Sequence, residues 1–325
     1  MSKENLLKIL EESKGTVLSG NDLAEHLGIS RNAVWKAINT LKSEGYDIQS
    51  VKNKGYLLSA WSDALSGSEI RMNLNEENKD DLRIIILEET PSTNSYIKEH
   101  KDLKNNTLVI AKSQTQGRGR LGKSFHSLDQ GGIYMSLLKT EDLSKYDTSL
   151  ATLAAALAVS EVLDGLSEEA THIKWVNDIY HKGLKLAGIL TEGTLEFETG
   201  SLSALVIGIG ININTETFPE EIQDIATSLY KATGRKSVRN EIIGKVINAL
   251  DKYLLMTKKD SRKLISLYKE KMLYLGEEIT VRRGNEEFSA HLTDLNDDGH
   301  LVLMRNNETM TMNSGEISIR KREIL

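Results

Sequence analysis

The run Gln114-Thr115-Gln116-Gly117-Arg118-Gly119-Arg120-Leu121-Gly122-Lys123-Ser124 places three glycines, two arginines and a lysine within seven positions. Such a run cannot pack a core. The elements around it must form the scaffold, and the run must be a loop. Its glycines let backbone fold closely about something small, and its cations fit an anion. Residues 117–124 match the phosphate-loop spacing G-x-x-x-x-G-K-[ST], and Gly117, Gly119 and Gly122 match the dinucleotide spacing G-x-G-x-x-G. Both motifs need a strand directly before and a helix directly after. The strand expected before it ends near Ala111, and Gly131-Gly132 and a new strand follow too soon for a helix. Both readings are therefore rejected. The remaining one is a cationic lid, without fixed structure when free, that closes over an anion. An ordinary basic surface loop is the bland alternative.

At 325 residues the chain is long for one domain. Its 41 Lys and Arg against 47 Asp and Glu exclude a general nucleic-acid coat but allow one local basic face. The absence of cysteine excludes disulfides and thiolate metal sites and fits a reducing cytoplasm. The start lacks a secretory signal pattern. Leu150–Leu163 is the most apolar helical stretch, but it is shorter than the ~20 residues a membrane span needs. The expectation is a cytoplasmic protein with that helix buried.

Periodicity divides the chain. Leu6, Leu7, Ile9 and Leu10 form a helical stripe. Ser19 and Gly28 bound a second helix, and Ser30 opens a third through Val34, Ile38 and Leu41 to Gly45. After Gly45 the period becomes two, with a turn at Asn53-Lys54-Gly55. This predicts a winged helix-turn-helix over 1–62. Arg31, Asn32, Trp35 and Lys36 would face a major groove, and Lys52 and Lys54 the DNA backbone or minor groove. Residues 63–81 are polar and mixed and read as a linker. Over 82–273 strands and helices alternate, giving an α/β or α+β domain. Residues 274–325 read as short strands with turns, hence a small β-barrel.

Two further constellations carry polar groups into strand-like sequence. Lys174-Trp175-Val176-Asn177-Asp178-Ile179-Tyr180 and Lys185-Leu186-Ala187-Gly188-Ile189-Leu190-Thr191-Glu192 read as a hairpin about His181-Lys182-Gly183. Lysine and an Asn-Asp pair are unusual in strand interiors, so the hairpin reads as a polar floor for a nucleotide or as solvent-facing charge pairs. Gly208-Ile209-Gly210-Ile211-Asn212-Ile213-Asn214 is a strand whose glycines would let a ligand approach its backbone.

These pieces, with Thr90-Pro91-Ser92-Thr93-Asn94, occur in an order that resembles biotin–protein ligases over essentially the whole chain. The helix-turn-helix makes the chain similar to the bifunctional form that also represses biotin genes. The resemblance implies an α+β protein with a class II synthetase-like mixed-sheet catalytic domain and an SH3-like C-terminal barrel. It implies formation of biotinyl-5′-AMP from biotin and ATP with Mg²⁺, then transfer of biotin to a lysine of a biotin carboxyl carrier domain. It also implies operator DNA as a partner, a homodimer when adenylate is bound, and no resident metal. Lys185, Arg118 and Arg120 match the catalytic positions. Ser92, Thr93, Asn94, Gln114, Gly117, Gly119 and Gly188, with those three, match biotin-binding positions. Arg120, Lys123, Lys174, Asn177, Asp178, Asn212 and Arg320 match ATP-side positions. Asp178 would hold Mg²⁺ or orient the incoming lysine. Ser92 also fits a helix N-cap. The chain departs from the family pattern at Lys123, where arginine is usual, at Phe125, an aromatic set two residues on, at Val176, where proline is usual, and at Leu121, often charged. The competing readings are a lipoate-type ligase and a biotin-sensing repressor without ligase activity.

Overall fold

The computed structural model describes residues 2–127, 131–196, 201–313 and 317–321. The chain divides into two compact units, Met1–Asp80 with Ser237–Lys245, and Asp81–Lys236 with Val246–Leu325.

The first unit runs α1 (Ser2–Glu12), β1 (Val17–Leu18), α2 (Gly20–Leu27), α3 (Arg31–Ser43), β2 (Ile48–Val51), β3 (Gly55–Leu58), α4 (Gly67–Met72) and α5 (Glu76–Lys79). The Ser19 hydroxyl accepts from the Asn21 and Asp22 amides, and the Ser30 hydroxyl from Ala33 N–H. Gly28 closes α2 at φ 63°, a left-handed conformation that suits glycine. Leu6, Leu10, Leu23, Val34, Ile38, Leu41, Ile48 and Leu58 form one core. The strands make a three-stranded sheet in the order β1-β3-β2. Gly55 is needed where β3 meets β1, because a Cβ there would lie 1.9 Å from the Leu18 carbonyl oxygen.

Residues 63–81, expected to be a linker, are folded instead. Leu65, Ile70 and Leu74 are buried. The polar residues that suggested a linker are satisfied by partners from other segments of this unit. Lys14 Nζ donates to Glu69 Oε1 at 2.5 Å, and Asn240 Nδ2 donates to Glu69 Oε2 at 2.8 Å. Ser68 donates to Glu11, and Arg239 Nε donates to Asp63 Oδ2 at 2.7 Å. Burial pushes the Glu11 carboxyl above its ordinary value, against the hydrogen bonds from Ser66 and Ser68.

The second unit is built on β4 (Arg83–Thr90), β5 (Thr107–Gln114), β6 (Ile133–Lys139), β7 (His172–Lys174), β8 (Asp178–His181), β9 (Leu184–Leu195) and β10 (Leu202–Ile211). They form a mixed sheet in the order β4-β5-β6-β10-β9-β8-β7. Only β4 and β5 among its pairs are parallel, joined through α6 (Thr93–Glu99). α7 (Ala151–Asp164) is buried on nearly all sides, as its apolar composition requires. α8 (Leu229–Thr233), α9 (Arg239–Lys259) and α10 (Ser261–Lys271) follow. The expected hairpin about His181-Lys182-Gly183 is present, with Lys182 and Gly183 at φ 50° and 80°. Its first arm is not one strand: Trp175–Asn177 separate β7 from β8.

The last strands are β11 (Glu278–Arg283), β12 (Glu286–Leu295), β13 (Leu301–Arg305), β14 (Glu308–Met312) and β15 (Ile317–Lys321). They pair antiparallel in the order β14-β13-β12-β11-β15, so among the described residues this is an antiparallel sheet with β14 and β15 at its ends. Trp175 Nε1 donates to the Gly299 carbonyl at 3.1 Å, tying the β12–β13 turn to the segment between β7 and β8. No helix among the described residues is long and apolar enough to cross a membrane.

Candidate functional site

An open pocket of about 980 Å³, part of it continuous with solvent, lies in the second unit over the middle of the mixed sheet. Ser92, Thr93, Asn94 and Gln114 line one part of it. Arg118, Gly119, Arg120, Lys123, Lys174, Asn177, Asp178, Lys185 and Gly188 line the rest.

The neutral part follows from the parallel β4–α6–β5 connection. Thr90 and Gln114 are register partners at the strand ends. Gln114 thereby reaches the start of α6, where its Oε1 accepts from Thr93 N–H at 2.8 Å. Its Nε2 donates to Ser127 Oγ at 3.0 Å. Gln114, not Ser92, therefore satisfies the helix start. Ser92 occupies the N-cap position with no capping bond from its side chain, and it lines the pocket. Ser136 Oγ lies 2.6 Å from Thr93 Oγ1 and 2.5 Å from Asn94 Oδ1. Asn94 Nδ2 donates to Leu190 O at 3.2 Å and to Glu192 Oε2 at 2.8 Å. All four shelf side chains are buried.

The loop, expected to lack fixed structure when free, is a small hairpin. Phe125 N–H donates to Gly117 O at 2.8 Å and Gly119 N–H to Lys123 O at 2.7 Å. Arg120–Gly122 make a 3-10 turn with Leu121 and Gly122 at φ 54° and 72°. That turn aside, the described residues between β5 and β6 contain no helix, so neither the phosphate-loop nor the dinucleotide context is met. Gly117 does not line the pocket. A Cβ on it would lie 2.3 Å from both the Phe125 carbonyl and the Ser127 hydroxyl, so its role is to let the hairpin close.

The cations are held apart by individual partners. Lys185 Nζ donates to Asp178 Oδ1 at 2.7 Å and lies 5.8 Å from the Phe125 ring centroid. Arg120 Nη1 donates to Asn177 Oδ1 at 3.3 Å. Burial lowers the Arg120 guanidinium from its ordinary value, and the charge of Asp178 opposes that fall. Lys174 Nζ stands 5.7 Å from the Tyr180 ring, and burial pushes the Tyr180 phenol up to about 12. Arg118 Nη2 is 3.5 Å from Glu192 Oε1.

Two ATP-side positions are not among the described lining residues. Asn212 is buried outside the pocket lining, and its Nδ2 donates to Thr227 O at 3.0 Å. Arg320 pairs through its backbone with Thr280, and its side chain lies outside the described residues. Sequence reading missed what the strand glycines accommodate. A Cβ on Gly208 would lie 2.2 Å from Asn94 Oδ1, and one on Gly210 would lie 2.7 Å from the Phe125 ring. Gly188 and Gly210 are register partners beneath that ring. The glycine spacing signalled close approach, and part of what approaches is the protein's own side chains.

On the first unit, Arg31, Asn32, Trp35 and Lys36 of α3 and Lys52 and Lys54 of the β2–β3 turn are all exposed. Trp35 is 53% exposed although Val34 and Ile38 on the same helix are buried, so packing does not explain it.

Residues 3–57 match an HTH domain, 86–212 the biotin/lipoate A/B protein ligase family, and 274–320 the biotin protein ligase C-terminal domain. The chain is 34% identical to the bifunctional ligase/repressor BirA of Bacillus subtilis, over 98% of each chain. It is 28% identical to the bifunctional ligase/repressor BirA of Escherichia coli, over 96% of this chain and 95% of that one. A biotin protein ligase from Aquifex aeolicus, solved in complex with biotin and ATP, superposes with TM-score 0.65 at 34% identity. That match covers 74% of this chain and 99% of the other.

Proposed function

The chain belongs to the biotin protein ligases of the bifunctional ligase/repressor type, and from that premise we propose that it activates biotin with ATP and transfers it to protein. The observation that carries the reading is one pocket joining a buried neutral shelf to a flank of cations. Neutral donors and acceptors suit an uncharged urea ring, and cations suit the meeting of two anions.

In the first step a biotin carboxylate oxygen attacks the α-phosphorus of ATP. The bond to the β-phosphate oxygen breaks, giving biotinyl-5′-AMP and pyrophosphate. Arg118, Arg120 and Lys185 screen the approaching negative charges and stabilise the charge that builds at phosphorus. In the second step the amine of a carrier-domain lysine attacks the acyl carbon, and AMP leaves with the bonding pair. Lys185 is assigned to contact both biotin and the α-phosphate, and so to serve both steps. Lys123, Lys174, Asn177 and Arg320 are assigned to the nucleotide. Asn212, by its bond to Thr227, shapes the backbone beside it. Asp178 is the one carboxylate among the described residues that line the pocket. One carboxylate with substrate phosphates is a usual setting for Mg²⁺, which here would neutralise phosphate charge. The existing bond of Asp178 to the Lys185 ammonium supports equally the other assignment, orienting the incoming lysine of the carrier.

The exposed α3 face and wing are assigned to operator DNA, bound as a homodimer when adenylate is present, in the cytoplasm. The C-terminal strands are assigned an SH3-like barrel closure, and the central sheet a class II synthetase-like fold. The partner protein is a biotin carboxyl carrier domain. The test is exchange of labelled pyrophosphate into ATP. Exchange that requires biotin is expected; absence of exchange with biotin, or exchange with lipoate in its place, overturns the reading.

A further inference from the structure

Glu192 lies in β9, outside the pocket lining, yet two pocket-lining residues, Asn94 and Arg118, and Lys98 of α6 converge on it. Its Oε2 accepts from Asn94 Nδ2 at 2.8 Å. Its Oε1 accepts from Lys98 Nζ of α6 at 2.5 Å and stands 3.5 Å from Arg118 Nη2 of the loop. The side chain is 18% exposed. Burial alone would raise its carboxyl, but the hydrogen bonds from Lys98 and Asn94, with the charges of Lys98 and Arg118, hold it below its ordinary value.

A primary amide presents two ends of similar shape and opposite polarity, so its orientation is set by its neighbours. An ionised carboxylate accepts only. With the Leu190 carbonyl it therefore fixes Asn94 with its NH₂ toward β9 and its Oδ1 toward Ser136 and the pocket-lining Gly208. The shelf consequently offers a ligand an acceptor at this point. The same carboxylate ties the loop to the shelf through Arg118.

We propose that Glu192 is a positioning residue that orients the Asn94 carbonyl toward a ligand N–H and anchors Arg118 at the same point. The inference rests on the biotin-ligase reading, because a urea ring carries the N–H groups that such an acceptor recognises. Replacing the Glu192 carboxylate by a neutral amide would supply both a donor and an acceptor there, leaving the Leu190 carbonyl at 3.2 Å as the acceptor that still holds the Asn94 NH₂.

The test uses the full chain and biotin-dependent pyrophosphate exchange. Glu192→Gln is expected to raise the biotin KM roughly tenfold, with kcat and the ATP KM within about twofold of wild type. The double variant Glu192→Gln/Asn94→Ala is expected to match Asn94→Ala alone in biotin KM, because for the ligand N–H the two changes remove one interaction. An unchanged biotin KM, or effects that multiply in the double variant, overturns the proposal. If Glu192→Gln loses the cooperative melt of wild type, Glu192→Asp carries the test. It keeps the charge but withdraws it by one methylene, so a biotin KM unmoved in it also overturns the proposal. Wild-type protein without biotin-dependent exchange would remove the ligase reading and this inference together. Wild-type exchange with an unmoved variant KM removes this inference alone.

Discussion

The two halves of the pocket are made differently. In the neutral shelf, Thr93, Asn94 and Gln114 are buried and bonded to Ser127, Ser136, Leu190 and Glu192 before any ligand arrives. The cationic loop is held instead by its own backbone bonds and by two long side-chain contacts, Arg118 to Glu192 at 3.5 Å and Arg120 to Asn177 at 3.3 Å, and its Arg118 side chain is 47% exposed. A preorganised shelf loses little entropy when it binds, so it suits recognition. An exposed loop can move, so it suits a nucleotide that must enter and a product that must leave. Recognition and turnover should therefore separate in variants of the two halves.

The largest expected effect is on turnover. Lys185→Ala should lower kcat for pyrophosphate exchange by about 10²–10³, roughly 3–4 kcal/mol of barrier. Filter binding of the variant to operator DNA should persist, since Lys185 lies in the other unit. Gly208→Ala strikes the shelf: its new Cβ would displace the Asn94 carbonyl. Titration calorimetry should show biotin binding weakened by about 10–100-fold, with loss of about one to two hydrogen bonds' worth of energy. If binding survives, the shelf is not preorganised as described. Arg118→Ala should do less in the free protein. Its exposed ion pair to Glu192 is worth about 1 kcal/mol or less, so a change in thermal stability beyond that would show the loop to be as rigid as the shelf.

Ser92→Ala separates a capping role from a ligand role. A serine that caps a helix loses about 1 kcal/mol on such a change, as Ser30→Ala should in chemical denaturation. Ser92 makes no capping bond, so its loss should cost a few tenths of that while weakening biotin binding. The smallest effect concerns pH. A carboxylate held low, like Glu192, contributes stability above its ordinary value of 4.5, and that stability is lost as pH falls through the lowered one. The melting temperature of Glu192→Gln should thus decline less steeply than wild type below pH 4.5.

Local signals carried the winged helix far. Ser19, Gly28 and Ser30 bound helices because their chemistry is spent within a few residues. The glycine-arginine loop was legible as a loop for the same reason. The folding of residues 63–81 was not, because Asp63 and Glu69 find their partners at Arg239 and Asn240, far along the chain. Polar residues that bury one another look like solvated ones in a linear reading. Trp175–Asn177 likewise break an apolar run that periodicity joined, because Trp175 is drawn to Gly299. Glu192 and Phe125 escaped notice as parts of the site because each acts through a neighbour brought close only by the sheet.

The face of the sheet at Gly188, Gly208 and Gly210 has a consequence for how this protein can vary. Elsewhere in the core a side chain can shrink or change branching and leave a tolerable gap. Here there is nothing to shrink. The smallest possible change is the addition of a methyl group, and at Gly208 and Gly210 that methyl already overlaps Asn94 or Phe125. These two positions therefore have no gradual route away from glycine: a new ligand preference would have to arise at the side chains lying against them, while the strands beneath stay fixed.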